Sequence, residues 1–213
     1  MPPAPAGRPR QTHAERTDRS DRRMLDAAVE LIVAHGPEKT TLKDVGERAG
    51  YSRGLAGYRF GSKQGLFEFV VRSVGEQWLQ QLTAATAGKT GLAAMHAAIH
   101  THYRFLLADG QHMRAFYILW FSSAGPESDT KNIVLGIDAR RRDDVATWVN
   151  AANRTRAADQ QLDAHAIAGQ FGASIIGIAY HWLAHPDDHA GIKQLHDQLV
   201  HTMTLYMTQG HSA

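Results

Sequence analysis

The segment that most constrains how this chain can fold is TTLKDVGERAGYSRGLAGYRFGSK, residues 40–63. It holds two helical patterns of only two turns or so, with a glycine break between them and another after them. Thr41-Leu42-Lys43-Asp44 fits a capping box, in which Thr41 accepts from the first-turn N–H groups and Asp44 reaches back. Leu42, Val45 and Ala49 then line one face, which predicts a second helix over 41–49. Gly50 takes the positive φ that a tight turn needs, Ser52 is placed to cap a third short helix, and Gly61-Ser62 repeats the device ahead of a fourth. A short helix, a Gly-containing turn and another short helix form the helix-turn-helix arrangement, whose second helix enters the DNA major groove. Gly54 and Gly57 each cost about 1 kcal/mol relative to Ala inside a helix. That cost makes sense where a bare backbone must approach base edges. Arg53 can then donate to guanine, Leu55 can meet a thymine methyl, and Tyr58 and Lys63 suit phosphates.

Around this segment the chain reads as all-α. Residues 1–20 carry four Pro and four Arg without apolar periodicity, the pattern of a disordered basic arm. From Arg22, residues Met24, Leu25, Ala28, Leu31, Ile32 and His35 recur at spacings of three and four until Gly36-Pro37 ends the first helix. No later segment alternates apolar and polar residues as a strand does. Helices are predicted at 62–86, 91–108, 111–123, 128–153, 162–184 and 191–208. The domains are then an arm over 1–20, a DNA-binding unit over 21–66 and a helical ligand-binding and dimerisation unit over 67–213.

Charge supports that division. Residues 1–63 hold 12 Lys and Arg against 8 Asp and Glu, and the rest 11 against 13, so the first part is +4 and the second −2. A basic module of this kind gains affinity for phosphates by counterion release, although the imbalance also fits chance. The chain has no Cys, which excludes disulfides, thiolate nucleophiles and Cys-ligated zinc. With neither a signal-like start nor a long apolar run, a cytoplasmic protein outside the membrane is expected. No nucleophile–base set and no metal-ligand set emerges, so no enzyme activity, metal or cofactor is expected.

Four other patterns carry two readings each. His96/His100 and His181/His185 stand at i, i+4, as surface or structural residues or as polar handles in a pocket, without the acidic partners of a metal site. Phe116, Tyr117 and Trp120, with Ile99, Tyr103 and His96, are either plain core or the lining of an apolar ligand cavity. The run Ala139-Arg140-Arg141-Arg142-Asp143-Asp144 suggests a second basic patch or, better, since the aspartates follow at once and Arg140 pairs with Asp144, a solvated helix face. Gly169, Ala173 and Gly177 form a small-residue row suited to self-association or to internal packing.

The run Arg22 to Val71 resembles the DNA-binding domain of the TetR family of bacterial transcriptional regulators. The resemblance rests on Ala27-Ala28, Leu31, Gly36, Thr40-Thr41, Ala49-Gly50-Tyr51-Ser52 and Tyr58-x-Phe60-x-Ser62-Lys63. It implies a homodimer whose third helices read two half-sites of a double-stranded operator, with an inducer-binding domain behind them that releases DNA when a small ligand binds. Thr41, Ser52, Arg53, Leu55, Tyr58 and Lys63 fall on positions the family uses against DNA, with Gly54 between them. The chain departs from the family at Ala56-Gly57, where a large apolar residue and an aromatic are common. A helical small-molecule-binding protein without operator recognition is the alternative class.

Overall fold

The structure, a computed structural model, describes residues 13–209. Among these residues it holds nine α-helices and no strand. They are α1 (His13–His35), α2 (Leu42–Arg48), α3 (Arg53–Phe60), α4 (Lys63–Thr86), α5 (Gly91–Ala108), α6 (Gly110–Ser122), α7 (Asp129–Asn153), α8 (Ala164–Ala184) and α9 (His189–Gln209), with a 3-10 turn at Ala158–Gln160 before α8. The expected all-α class and the amino-terminal three-helix unit ahead of six further helices are therefore present among the described residues. No described helix is long and apolar enough to cross a membrane.

Local signals set most helix ends. Thr41 Oγ1 accepts the Asp44 N–H at 3.2 Å as predicted, and Asp44 reaches back to the Thr41 hydroxyl, which donates to its carboxylate at 2.7 Å. Ser62 accepts from the Gly65 N–H at 3.0 Å and starts α4. Gly50, at φ +79°, makes the turn between α2 and α3. Ser52 is different: it stands at the N-cap of α3 in extended conformation, yet its side chain makes no capping hydrogen bond.

The first helix begins well before the position periodicity suggests. Residues 13–20, expected in a disordered arm, form the first turns of α1; residues 1–12 of that arm lie outside the described residues. The segment HAERTDRSDRR contains good helix formers and neither Gly nor Pro. It was invisible to an apolar pattern because Glu15, Arg16, Asp18 and Arg19 are exposed. Tertiary contact also holds it: Asp21 accepts from Arg59 Nε at 3.0 Å, tying α1 to the end of α3.

Burial follows the helical period. Met24, Ala28 and Ile32 of α1, Val45 of α2, Ala56 of α3 and Leu66 and Val70 of α4 form the small amino-terminal core. Beyond it, Val74 and Trp78 of α4 meet Met95, Ile99 and Phe105 of α5 and Phe116 and Tyr117 of α6. The two parts are continuous. Helix α4 runs through both, α1 packs on α6, and His112 of α6 bridges Asp26 of α1 (3.1 Å) and Asp109 (2.7 Å).

Candidate nucleic-acid interface and ligand bundle

Helix α3 presents an open face. Tyr58 is 90% exposed, and Ser52 and Gly54 are exposed as well, while Leu55 is half-buried. A Cβ added at Gly54 or at Gly57 would meet nothing within 4 Å, so packing requires neither glycine. Ala56, in contrast, is fully buried, and it is this small residue that lets α3 sit close to its neighbours. Thr41 is exposed at the start of α2. Arg53 opens α3, but its side chain lies outside the described residues. Lys63 is half-buried, and its ammonium donates to the Glu38 carbonyl at 2.6 Å and stands 5.7 Å from the Phe67 ring centroid.

Beside this face lies a cleft of about 740 Å³ that the linear sequence did not announce. Its walls include Arg16, Arg19 and Arg23 from α1 and Leu55, Tyr58 and Arg59 from α3, with one acidic residue, Asp21, which pairs with Arg59. Spacings of three and four put the three α1 arginines on one side of that helix. Reading residues 13–20 as helix would have revealed the stripe. The cleft is thus cationic and open, the physical profile of a surface for a polyanion.

The six candidates for a ligand cavity divide. Ile99, Phe116 and Tyr117 are buried in the core, whereas His96, Tyr103 and Trp120 are half-buried. His96 Nε2 lies 3.0 Å from Thr204 Oγ1 of α9, and Tyr103 packs its ring against His196. Two residues absent from the sequence reading, His102 and His196, complete a buried relay. His196 Nδ1 lies 2.7 Å from the Ile192 carbonyl, which only accepts, so this nitrogen carries the proton. His196 Nε2 therefore accepts from His102 Nδ1 (2.9 Å), and His102 Nε2 accepts from the Tyr117 hydroxyl (2.9 Å). Burial, and then the neighbouring His196 and Arg141, hold the pKa of His102 well below the ordinary imidazole value of 6.5. Burial also lowers the His196 pKa and raises that of Tyr117, the Arg141 guanidinium opposing the latter.

The arginine run on α7 corrects the solvated-face reading. Arg140 and Arg142 are exposed, but Arg141 is buried, with its guanidinium over the Trp120 ring at 5.1 Å. The close ion pairs run backwards to Asp138, from Arg142 and at 3.7 Å from Arg141, while Arg140 acts on Asp144 only through its charge. The signal was present: Arg141 continues the apolar row Val134, Ile137, Val145, Trp148. On α8, Ala173 and Gly177 are exposed and Gly169 half-buried. A Cβ at Gly169 or Gly177 would meet nothing within 4 Å, and Tyr180 beside them is 64% exposed. The row points away from the bundle, against internal packing. The histidine pairs do not gather further ligands, since no three His, Asp or Glu among the described residues are grouped as a metal site requires.

Geometry and sequence agree on class. Residues 24–70 match the model of bacterial regulatory proteins of the tetR family. Over 128 residues it is 25% identical to the HTH-type transcriptional regulator BetI of Agrobacterium fabrum, a stretch covering 60% of this chain and 62% of that regulator. The fold also matches a transcriptional regulator from Rhodococcus sp. Rha1 at TM-score 0.75, with 18% identity over 91% of this chain and 99% of the other. A second match is AibR in complex with isovaleryl coenzyme A and operator DNA, at TM-score 0.69 and 16% identity, covering 86% and 97%.

Proposed function

We propose that the protein is a sequence-specific DNA-binding transcriptional regulator, a repressor released from its operator when a small, mostly apolar molecule occupies the carboxy-terminal bundle. The observation that carries this reading is the open α3 face with unsupported glycines, set against the arginine-lined cleft of α1. Residues up to about 66 act as the reading head and those from 67 as the ligand-binding and dimerisation part. Ser52, Arg53, Gly54 and Leu55 approach base edges, while Thr41, Tyr58, Lys63, Arg16 and Arg19 serve the phosphates. AibR, on the same fold, is seen with both a ligand and operator DNA.

Two copies pair through the outward Gly169/Ala173/Gly177 row of α8 and through α9, since a two-fold interface presents one patch twice and small residues allow close approach. The switch follows from the connection. Helix α4 has 24 residues, about 36 Å at 1.5 Å per residue, and leads from Lys63 into the bundle beneath α5 and α6. A ligand that prefers a bundle shape with wrongly spaced heads weakens DNA binding, and DNA weakens ligand binding by the same factor.

Selection of bound sequences from random duplex DNA tests the reading, with a two-fold-related motif as the expected result. Arg53→Ala then weakens the selected site by about 1–3 kcal/mol and relaxes one base per half-site, whereas Arg19→Ala weakens all sequences alike and flattens the salt dependence. Recovery of no preferred sequence overturns operator recognition and leaves a small-molecule-binding protein.

A further inference from the structure

Regulation by an apolar molecule leaves Arg141 unexplained. It is 8% exposed, on the apolar side of α7. Its nearest carboxylate, Asp138, is 3.7 Å away and is also engaged by Arg142, so two guanidinium groups share one negative charge. The Arg141 Nη2 is buried and has no hydrogen-bond acceptor. Facing it from α6 are the Trp120 ring and the Tyr117 hydroxyl, and behind Tyr117 stands the His102–His196 relay. That relay brings two imidazoles and a phenol and no carboxylate. On its other side Trp78 Nε1 is also buried without a partner, its ring edge-on to His102 at 5.6 Å.

A buried cation lacking a full counter-charge weakens a fold, and an apolar side chain in its place is often neutral or stabilising. The Trp120 ring, the Tyr117 hydroxyl and a shared Asp138 answer this guanidinium only in part, and an anionic ligand completes it. The surroundings narrow its class. Two arginines and one aspartate leave a single positive charge, which a monoanion balances and a dianionic phosphate overshoots. A carboxylate offers two acceptor oxygens to the planar fork of a guanidinium. Space for a body exists nearby. The α4–α7 groove, about 540 Å³, has Gly75, Leu79, Ile133 and Ile137 in its lining, and also Glu68, Glu76 and Asp129 with Arg72 and Arg140, so the apolar body takes only its inner, aliphatic part. At its floor α4 and α7 approach so closely that a Cβ at Gly75 would come 2.8 Å from Ile137 Cδ1 and 3.5 Å from the Phe116 ring. Phe116 packs in turn on Trp120, whose ring lies against Arg141. Ile137 and Phe116 thus stand between the groove and the guanidinium.

We propose that Arg141, with Tyr117 beside it, is the head of the ligand site, and that the ligand is a monocarboxylate whose apolar body lies along Trp120 and Phe116 towards the α4–α7 groove. This rests on the ligand-responsive reading above and adds one buried charge to the apolar lining.

The test uses full-length protein without DNA and two probes with one alkyl body, octanoate and its uncharged amide octanamide, in calorimetric titrations at neutral pH. Wild type is expected to bind octanoate about tenfold to a hundredfold more tightly than octanamide, the factor a charge-assisted hydrogen bond supplies. Arg141→Met abolishes the preference and leaves the melting temperature no lower than in wild type. Tyr117→Phe, a milder change, reduces the preference severalfold. Equal binding of the two probes by wild type, binding of neither, or a preference that survives Arg141→Met overturns the proposal. So does a collapse of the melting temperature in Arg141→Met, which makes the arginine structural. Operator selection separates this from the wider reading: a protein that selects DNA without preferring octanoate loses only the ligand class, and one that prefers octanoate without selecting DNA loses only the regulator.

Discussion

The α3 head and the α5–α6–α7 bundle handle surface in opposite ways. In α3, two glycines stand where a methyl group would meet nothing, and a tyrosine projects almost wholly into solvent. In the bundle, polar groups that water would readily solvate are buried, among them Tyr117, His102 and Arg141. One region gives up helix stability to keep a face bare, and the other gives up solvation to keep polar groups inside. Neither choice helps the chain fold. On the function proposed above, each is what its surface needs in order to meet something else, a duplex in the first case and a small molecule in the second.

The sharpest way to break the comparison is to cut into each region. Phe116→Ala removes a ring from the closed core and is expected to cost about 3–5 kcal/mol in chemical denaturation. Tyr58→Ala, on the open face, should stay within about 0.5 kcal/mol of wild type while weakening the selected operator in gel-shift titration. A comparable loss of stability in both variants would mean that α3 is not a free face.

Acid gives the next largest effect, and it acts on the bundle. The folded-state pKa of His102 is depressed, with His196 and His96 in the same direction, so the unfolded chain binds these protons first. Their contribution is complete above 6.5, the ordinary imidazole value, and is lost as pH falls below it. The slope approaches about 1.4 kcal/mol per pH unit for each imidazole kept neutral. Denaturation midpoints measured from pH 8 to 5 should fall, less steeply in His102→Gln. A flat profile, or one that rises towards acid, would contradict the buried neutral relay.

The smallest effect has the opposite sign. Gly57→Ala should stabilise the protein by up to about 1 kcal/mol, because alanine suits a helix better than glycine and the added methyl group has open space. The same methyl group is expected to weaken operator binding by holding the backbone off the bases. Raised stability with unaltered DNA affinity would remove Gly57 from the interface.

Most of the reading head was legible in the chain itself. Thr41, Gly50, Ser62 and the period of Leu42, Val45 and Ala49 place α2, α3 and the start of α4 within a residue or two. The start of α1 was not, since an amphipathic test finds only helices that bury a stripe and residues 15–20 are largely exposed. Arg141 was misread for a related reason. Its neighbours Arg140 and Arg142 are solvated, and charge type outweighed the register that put it in line with Ile137 and Val145.

What the amino-acid sequence determined alone is the set of helices and the Thr41 and Ser62 caps, because those interactions close within about four residues and depend on the local chain. Tertiary structure decided which side chains met. Asp21 reaches Arg59 across 38 residues, His102 reaches His196 across 94, and the α1 arginines join α3 in one cleft. Periodicity can assign a position to the inside of a helix, but it carries no information about the helix that will pack there. The buried relay, the half-neutralised guanidinium and the cationic cleft all depend on charges and donors supplied from a second helix, and only the packed molecule brings those together.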